Sequence, residues 1–181
     1  SHFQDHTGQD LVDQMQRLKT VGANRWLLDL RNNPGGTLSA AAAVADAFLS
    51  TGNIVTTKAR QIKDNMRFDA HSKDPSQGWP LAILINNGSA SASEIVAGAI
   101  KDHQRGQLVG KSTFGKGSVQ SIITLPQGTG VKLTTAYYYT PNGHNIHLTG
   151  IEPDVTVDNS ETDEDTQLAA ALDILRLSKS K

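Results

Sequence analysis

The spacing of apolar residues along the chain predicts alternating helices and strands. Leu11, Val12, Met15 and Leu18 recur at helical spacing, which predicts a helix over about residues 8–20. The other predicted helices cover about 37–50, 92–103 and 166–177. The predicted strands cover about 25–31, 54–59, 81–85, 107–110, 117–124 and 131–139.

Between these elements lie two polar stretches. Residues 61–79 contain Pro75 and Gly78 near their end, which favours a surface excursion, either a hairpin or a flap. Residues 158–165 are acidic and are expected to form a solvated connector before the last helix. The element order, with strands dominating the second half, predicts an α/β or α+β domain in which helices flank a central sheet.

Composition narrows the class of protein. A chain of 181 residues suits one domain, and a formal net charge of −1 argues against a nucleic-acid-binding surface. The absence of cysteine excludes disulfides, thiol nucleophiles and cysteine-ligated zinc. No apolar run approaches the 18 residues of a membrane span, and we expect no signal peptide within the given residues. Because the first residue is Ser1 rather than Met, we expect a processed or trimmed piece.

The first candidate for chemistry is the strand-to-helix corner at residues 86–94. A serine there projects above the sheet, next to helix N–H groups that can hold a developing oxyanion. However, Ser91 and Glu94 also fit a capping box, which is a purely structural interpretation. Ser89 and Ser93 compete with Ser91 for any catalytic role, and local chemistry does not choose among them.

No histidine is well placed as a base for this serine. His103 and Asp102 lie on the same helix as Ser91, about 18 and 16 Å away at 1.5 Å per residue, so neither reaches it. His144 and His147 stand in a turn region, and their spacing alone is a weak signal for a metal site.

Lys116 is the better candidate base. It lies between Gly115 and Gly117, in a stretch that invites close backbone approach. A lysine acts as a base only when desolvation lowers its pKa from about 10.4 towards 7–8, so this interpretation predicts a dry pocket. The alternative is an exposed lysine in a glycine turn. A phosphate-binding loop is disfavoured because the hydroxyl residue expected after the lysine is replaced by glycine.

A third segment, Asn33-Pro-Gly-Gly36, follows a predicted buried strand. Its glycines allow a backbone N–H to point into a site, although turn formation alone also explains them.

Together these segments resemble the catalytic core of the carboxyl-terminal processing peptidases, or tail-specific proteases. The resemblance extends over about residues 7–177. The matching stretches are 27–36, 89–95, 109–120, 138–143 and 150–154. The resemblance implies a layered fold like that of ClpP and crotonase.

The resemblance also implies a serine endopeptidase that acts through an acyl-enzyme and needs no metal or organic cofactor. The implied roles are nucleophile for Ser91, general base for Lys116, support of that lysine for Gln120, backbone oxyanion donors for Gly36 and Ala92, and a less defined supporting role for Asp102.

The expected partners follow from the same resemblance. They are the carboxyl-terminal regions of polypeptide substrates and a PDZ domain of the parent chain, which the sequence itself does not contain; a homo-oligomer stays open, and nucleic acid is not expected. The expected compartment lies outside the cytoplasm, in a periplasm or thylakoid lumen. The alternatives are a protease fold that serves as a binding scaffold or cleaves only when assembled, and an acyl-CoA enzyme of crotonase type, which the pairing of Ser91 with Lys116 disfavours.

Overall fold

The structure of the chain is a computed structural model that describes residues 2–71, 73–158 and 164–178. Its helices are α1 (Thr7–Thr20), α2 (Leu38–Asp46), α3 (Ala92–Asp102) and α4 (Thr166–Leu177). Its strands are β1 (Trp26–Asp29), β2 (Asn53–Ala59), β3 (Met66–Asp69), β4 (Leu81–Ile85), β5 (Gln107–Gly110), β6 (Ser118–Thr124), β7 (Gly130–Tyr139) and β8 (Val155–Thr156).

The strands divide between two sheets. The first is parallel, with the order β1-β4-β5-β8, and the second is antiparallel, with the order β3-β2-β7-β6. Helices pack on the parallel sheet from both sides, which confirms the predicted α/β class with a central sheet flanked by helices. Residues 61–79 contribute β3, which forms an antiparallel hairpin with β2. Of the acidic connector, residues 159–163 lie outside the described residues.

Strand β4 lies at the centre of the core. All five of its side chains are buried, and they alternate between two apolar clusters. Leu81, Ile83 and Ile85 face the cluster that contains α2 and α3, whereas Ala82 and Leu84 face α4. A strand covered on both faces needs an unbroken apolar sequence, which explains the pattern Leu-Ala-Ile-Leu-Ile.

Three loops meet at the carboxyl edge of the parallel sheet. Because β1, β4 and β5 are neighbours and run in the same direction, the segments that follow them lie side by side. These segments are 30–37, 86–91 and 111–117. In open parallel sheets this edge is where ligands bind, so the fold brings the three candidate segments together.

Among residues 2–71, 73–158 and 164–178, none of the helices has both the length and the apolar character of a membrane span.

Candidate active site

The structure distinguishes the three serines of the 86–94 corner. The hydroxyl of Ser89 donates to the carbonyl of Leu30 at 2.7 Å, and that of Ser93 donates to the carbonyl of Asn33 at 2.9 Å. Both of these serines are fully buried, and their hydrogen bonds connect the corner to the segment after β1. Ser91 is only partly buried, which makes it the serine best placed to meet a substrate.

The backbone of Ser91 has an unusual conformation. Its φ of 55° and ψ of −112° are rare for a residue with a side chain, and such strained positions cluster at functional sites. Ser91 and Glu94 form the predicted capping box at the start of α3, in which the Ser91 N–H donates to the Glu94 carboxylate at 2.8 Å. The N–H of Glu94 also lies 2.9 Å from the Ser91 carbonyl oxygen.

The glycine segment after β1 packs directly against this corner. A Cβ on Gly35 would lie 2.7 Å from the Ala92 nitrogen and 2.8 Å from the Ser91 Cβ, and its φ is +100°. Only glycine fits there. The Gly35 N–H donates to the Asn33 side chain at 3.0 Å. Within the described residues, the N–H groups of Gly36 and Ala92 make no hydrogen bond, so both are available to an incoming oxygen.

A buried carboxylate connects the serine corner to the lysine loop. Glu94 is fully buried, and one of its oxygens, Oε2, accepts the backbone N–H groups of Ser91 and Lys116, each at 2.8 Å. The other oxygen accepts the Gly115 N–H and the Thr113 hydroxyl, each at 2.6 Å. Four donors thus satisfy this carboxylate, and they hold Ser91 and Lys116 beside one another.

The side chain of Lys116 is exposed, which corrects the expectation of a dry pocket formed by this chain alone. The physical reason is the packing of its glycine neighbours. A Cβ on Gly117 would lie 2.3 Å from the His147 nitrogen, and one on Gly115 would lie 3.1 Å from the Leu148 carbonyl carbon. The backbone therefore occupies the buried side of the loop, and the lysine side chain points outwards.

The other two predicted side chains are those of Gln120 and Asp102. Gln120 is exposed on β6, beyond a bulge at Val119, and among the described residues its amide makes no hydrogen bond to Lys116. Asp102 accepts the Asn142 N–H at 2.8 Å and so fixes the turn after β7.

The two histidines of the H-x-x-H pattern point to different partners. The His144 ring lies 3.1 Å from the Gly150 carbonyl oxygen, whereas the His147 ring packs on Tyr137.

Sequence reasoning missed an ionic cluster beside the site. Arg31, two residues after β1, makes a paired contact with Asp165 at 2.8 Å and also binds Asp29 at 2.7 Å. Hydrogen bonding from Arg31 lowers the pKa of Asp165 to about 2, and the bonds from Asp29 and Asp165 raise the pKa of Arg31. Because Asp165 caps α4, this cluster ties the last helix to the glycine segment.

Comparison with known proteins points to peptidases. A model of peptidase family S41 matches residues 1–157. A carboxy-terminal-processing protease of Bartonella bacilliformis is 49% identical over 160 residues, which cover 86% of this chain and 37% of that protein. A carboxyl-terminal-processing protease of Synechocystis sp. is 41% identical over 182 residues, which cover 97% of this chain and 42% of that protein.

A solved structure supports the same relationship. The photosystem II D1 C-terminal processing protease superposes with a TM-score of 0.80 at 36% identity, over 87% of this chain and 40% of that one. The chain thus spans about two fifths of the length of the relatives it matches.

Proposed function

Because the chain belongs to peptidase family S41, we propose that it is the catalytic core of a serine endopeptidase with Ser91 as nucleophile and Lys116 as general base. The observation that carries this proposal is the shared carboxylate oxygen. The backbone nitrogens of Ser91 and Lys116 each lie 2.8 Å from Glu94 Oε2, so two residues that are 25 positions apart in sequence are neighbours in space.

The proposed reaction proceeds through an acyl-enzyme. The neutral amine of Lys116 takes the proton of the Ser91 hydroxyl, and the oxygen attacks the carbonyl carbon of the scissile bond. The N–H groups of Gly36 and Ala92 stabilise the oxyanion of the tetrahedral intermediate. The carbon–nitrogen bond then breaks, and the Lys116 ammonium returns its proton to the leaving amine. Water, deprotonated by Lys116, hydrolyses the ester and regenerates Ser91.

Because Lys116 is exposed, the proposed mechanism requires the bound substrate to remove water from its amine. Removal of water from around an amine favours its uncharged form, which is the form that can accept a proton. We infer that a polypeptide lying across the site covers the lysine and supplies this desolvation. In this bound state Gln120 is proposed to orient the amine, and Asp102 acts indirectly through the turn after β7.

The proposed substrate is an extended polypeptide cleaved near its carboxyl terminus. The names of the two relatives and of the superposed protease support this class, since all three are described as processing proteases that act at carboxyl termini. We propose that the parent chain holds the substrate tail with a PDZ domain and acts outside the cytoplasm. The proposed mechanism is compatible with a homo-oligomer.

Separate replacement of the two dyad residues tests the proposal. Ser91→Ala and Lys116→Ala are each expected to lower kcat for an unstructured peptide by about 10⁴-fold or more. Ser112→Ala, on the exposed part of the same loop, and Lys132→Ala, on β7, are matched controls that should retain the parental rate. Parental cleavage by either dyad variant contradicts the proposal.

The exposure of Lys116 supports a second candidate, a protease core that cleaves only when it is assembled with another domain or copy. In that case the isolated 181 residues contain the nucleophile but do not desolvate the base. A fluorophosphonate probe separates the two cases. Labelling of Ser91 in the isolated chain supports a complete site, and labelling only after another domain or copy is added supports the assembled form.

A further inference from the structure

Strand β6 forms an open edge of the antiparallel sheet. In the order β3-β2-β7-β6 it pairs with β7, and within the residues that the structure describes its outer edge has no backbone hydrogen-bonding partner. None of its seven residues, Ser118–Thr124, carries a charge. An unpaired row of N–H and C=O groups on an edge strand is a template for pairing with another strand.

The two edges of this sheet differ in their protection. Strand β3, at the opposite edge, has four residues, and two of them, Arg67 and Asp69, form an ion pair at 2.9 Å. Short length, charged side chains and bulges are the means by which proteins prevent pairing between edges. Of these, β6 has only the bulge between Val119 and Gln120. The five residues from Gln120 to Thr124 therefore remain regular and open to pairing.

Exposed apolar side chains accompany this open edge. On β6, Ile122 is 75% exposed and Ile123 is 47% exposed. On β7, Val131 and Leu133 are also exposed, and they share a face with Ile123, because the register pairs Ile123 with Val131. Neighbouring exposed apolar residues indicate an interaction surface more strongly than scattered ones do.

Alternation along the strand decides which backbone groups of β6 point away from β7. The Leu125 N–H donates to the Thr129 carbonyl at 2.8 Å, so the backbone groups of Leu125 face β7. Because successive residues of a strand alternate, Gln120, Ile122 and Thr124 present their N–H and C=O groups outwards. Ile122 lies at the centre of this set, which is therefore symmetric about it.

We propose that two copies of this chain pair through β6, antiparallel and about a two-fold axis at Ile122. The axis places Ile122 opposite the partner's Ile122 and Gln120 opposite the partner's Thr124, so that every outward-facing residue of this segment gains hydrogen bonds. A second copy fits this edge because the strand is uncharged and complementary to itself. The contact is isologous, so it closes at two copies, and the ion pair on β3 protects the remaining edge.

The charges nearest to the axis do not oppose this arrangement. On the face that carries Ile122, its neighbour on β7 is Lys132. In the pair, both β6 strands separate the two lysines, which places them about 14 Å apart at about 4.8 Å per strand. That distance exceeds the screening length of about 8 Å at physiological salt. The two Ile122 side chains between them gain a cross-strand apolar contact.

A single introduced cysteine tests the register, because the chain contains none of its own. In the proposed pair, Ile122→Cys places two thiols across the axis with their Cα atoms about 5.5 Å apart, which a disulfide can span. Mild oxidation should convert this variant to a covalent dimer on a non-reducing gel. Thr124→Cys, an exposed position on the same strand, is the matched control. Its two Cα atoms would lie about 14 Å apart, so it should remain mostly uncrosslinked.

Sedimentation equilibrium gives a second measurement that needs no cysteine. With increasing concentration, the mass of the parental chain should rise from that of one copy to that of two. Ile122→Lys brings two like charges together at the axis, so this variant should keep the mass of one copy. Val21→Lys changes an apolar residue of similar exposure (79%) at the end of α1 and should dimerise as the parent does. Circular dichroism establishes that each variant is folded.

Three results would each overturn the proposal. They are equal crosslinking of Ile122→Cys and Thr124→Cys, parental dimerisation by folded Ile122→Lys, and a parental chain that keeps the mass of one copy at every concentration. The edge would then belong to another occupant, such as a strand of the substrate or a further domain of the parent chain. None of these measurements depends on cleavage, so they decide on the pairing whether or not Ser91 is the nucleophile.

Discussion

The backbone N–H groups of Ser91 and Lys116 donate to the same carboxylate oxygen, each at 2.8 Å. That oxygen belongs to Glu94, which is fully buried and accepts four hydrogen bonds in all. Each of the four donors is an amide N–H or a hydroxyl, so the carboxylate acts here as a joint between two loops rather than as half of an ion pair.

Glu94→Gln is expected to impair catalysis more than substrate binding. The amide retains the shape but turns one acceptor into a donor that faces N–H groups, so the serine corner and the lysine loop move apart. Misplacement of about 1 Å costs roughly 10²-fold in rate, so we expect a fall in kcat of about that size with a smaller change in KM. Steady-state kinetics and a thermal melt measure both effects. Glu152→Gln changes an exposed glutamate and is the matched control. Equal kcat for the two variants would contradict the claim that Glu94 holds the serine corner and the lysine loop together.

Gly35→Ala should damage the site by close contact. The added Cβ would lie 2.6 Å from the Ala90 carbonyl oxygen and 2.7 Å from the Ala92 nitrogen. Gly22→Ala is the matched control, because Gly22 has a similar positive φ of +91° and nothing within 4 Å of the same position. The control measures the backbone strain alone, about 1–2 kcal/mol. Overpacking at Gly35 should add about 1–3 kcal/mol and abolish cleavage. Denaturant unfolding and peptide cleavage report the two effects, and similar losses at both sites argue against the close packing.

Replacement of the three serines should separate stability from activity. Ser89→Ala and Ser93→Ala remove donors to buried carbonyls, which should lower the free energy of unfolding by about 1–3 kcal/mol each. Ser91→Ala removes a partly exposed hydroxyl and should lower the free energy of unfolding less than the other two changes do, while it ends cleavage. Denaturation curves measured beside peptide assays check this division. It is wrong if Ser91→Ala destabilises the protein as much as the other two do.

The Arg31 cluster should contribute stability that acid removes. The folded-state pKa of Asp165 is lowered to about 2, below an unfolded value of about 3.9, chiefly through its hydrogen bonds with Arg31. A lowered carboxyl pKa stabilises the fold above the unfolded pKa, and this contribution is lost as pH falls from about 4 to 2. Because Asp165 is more than one third exposed, solvent screening keeps the effect near the size of a surface pair, about 0.2–1 kcal/mol.

Unfolding measured at pH 7 and pH 2.5 for the parent and Asp165→Asn checks this expectation. The variant should be less stable at pH 7, and the difference should shrink at pH 2.5. Asp173→Asn, in an exposed pair with Arg176, is the control. If the difference in the free energy of unfolding between the parent and Asp165→Asn is the same at both pH values, stability is not linked to the ionisation of Asp165.

Much of the element order could be predicted from apolar spacing. Strands β4 and β5 and helix α4 begin and end where the sequence places them, because burial of one or both faces imposes a clear pattern. For residues 61–79 the sequence predicts a hairpin or a flap but no strand bounds. Met66–Asp69 is mostly exposed and lacks alternation, so only its pairing with β2 defines β3. Strand β8, of two residues, is likewise defined by its neighbour β5.

The site could be predicted in part. Residue types and their positions after predicted strands indicated the serine corner, the lysine loop and the glycine segment. They did not distinguish Ser89, Ser91 and Ser93 as nucleophiles. That choice depends on what each hydroxyl contacts across the fold. The capping-box pattern identified Glu94, yet it could not show that the carboxylate also reaches Gly115 and Lys116, more than twenty positions later. The outward direction of the Lys116 side chain depends on packing at Gly115 and Gly117, which no local pattern reveals.

The meeting of three loops at one sheet edge has a consequence for the newly made protein. The lysine loop follows β5, and it takes its place only when β5 has paired with β4, itself paired with β1. Contacts so distant in sequence form late in folding, because long stretches of chain must first be closed into loops. Under the proposed mechanism, the serine and the lysine therefore come together only after most of the domain has folded.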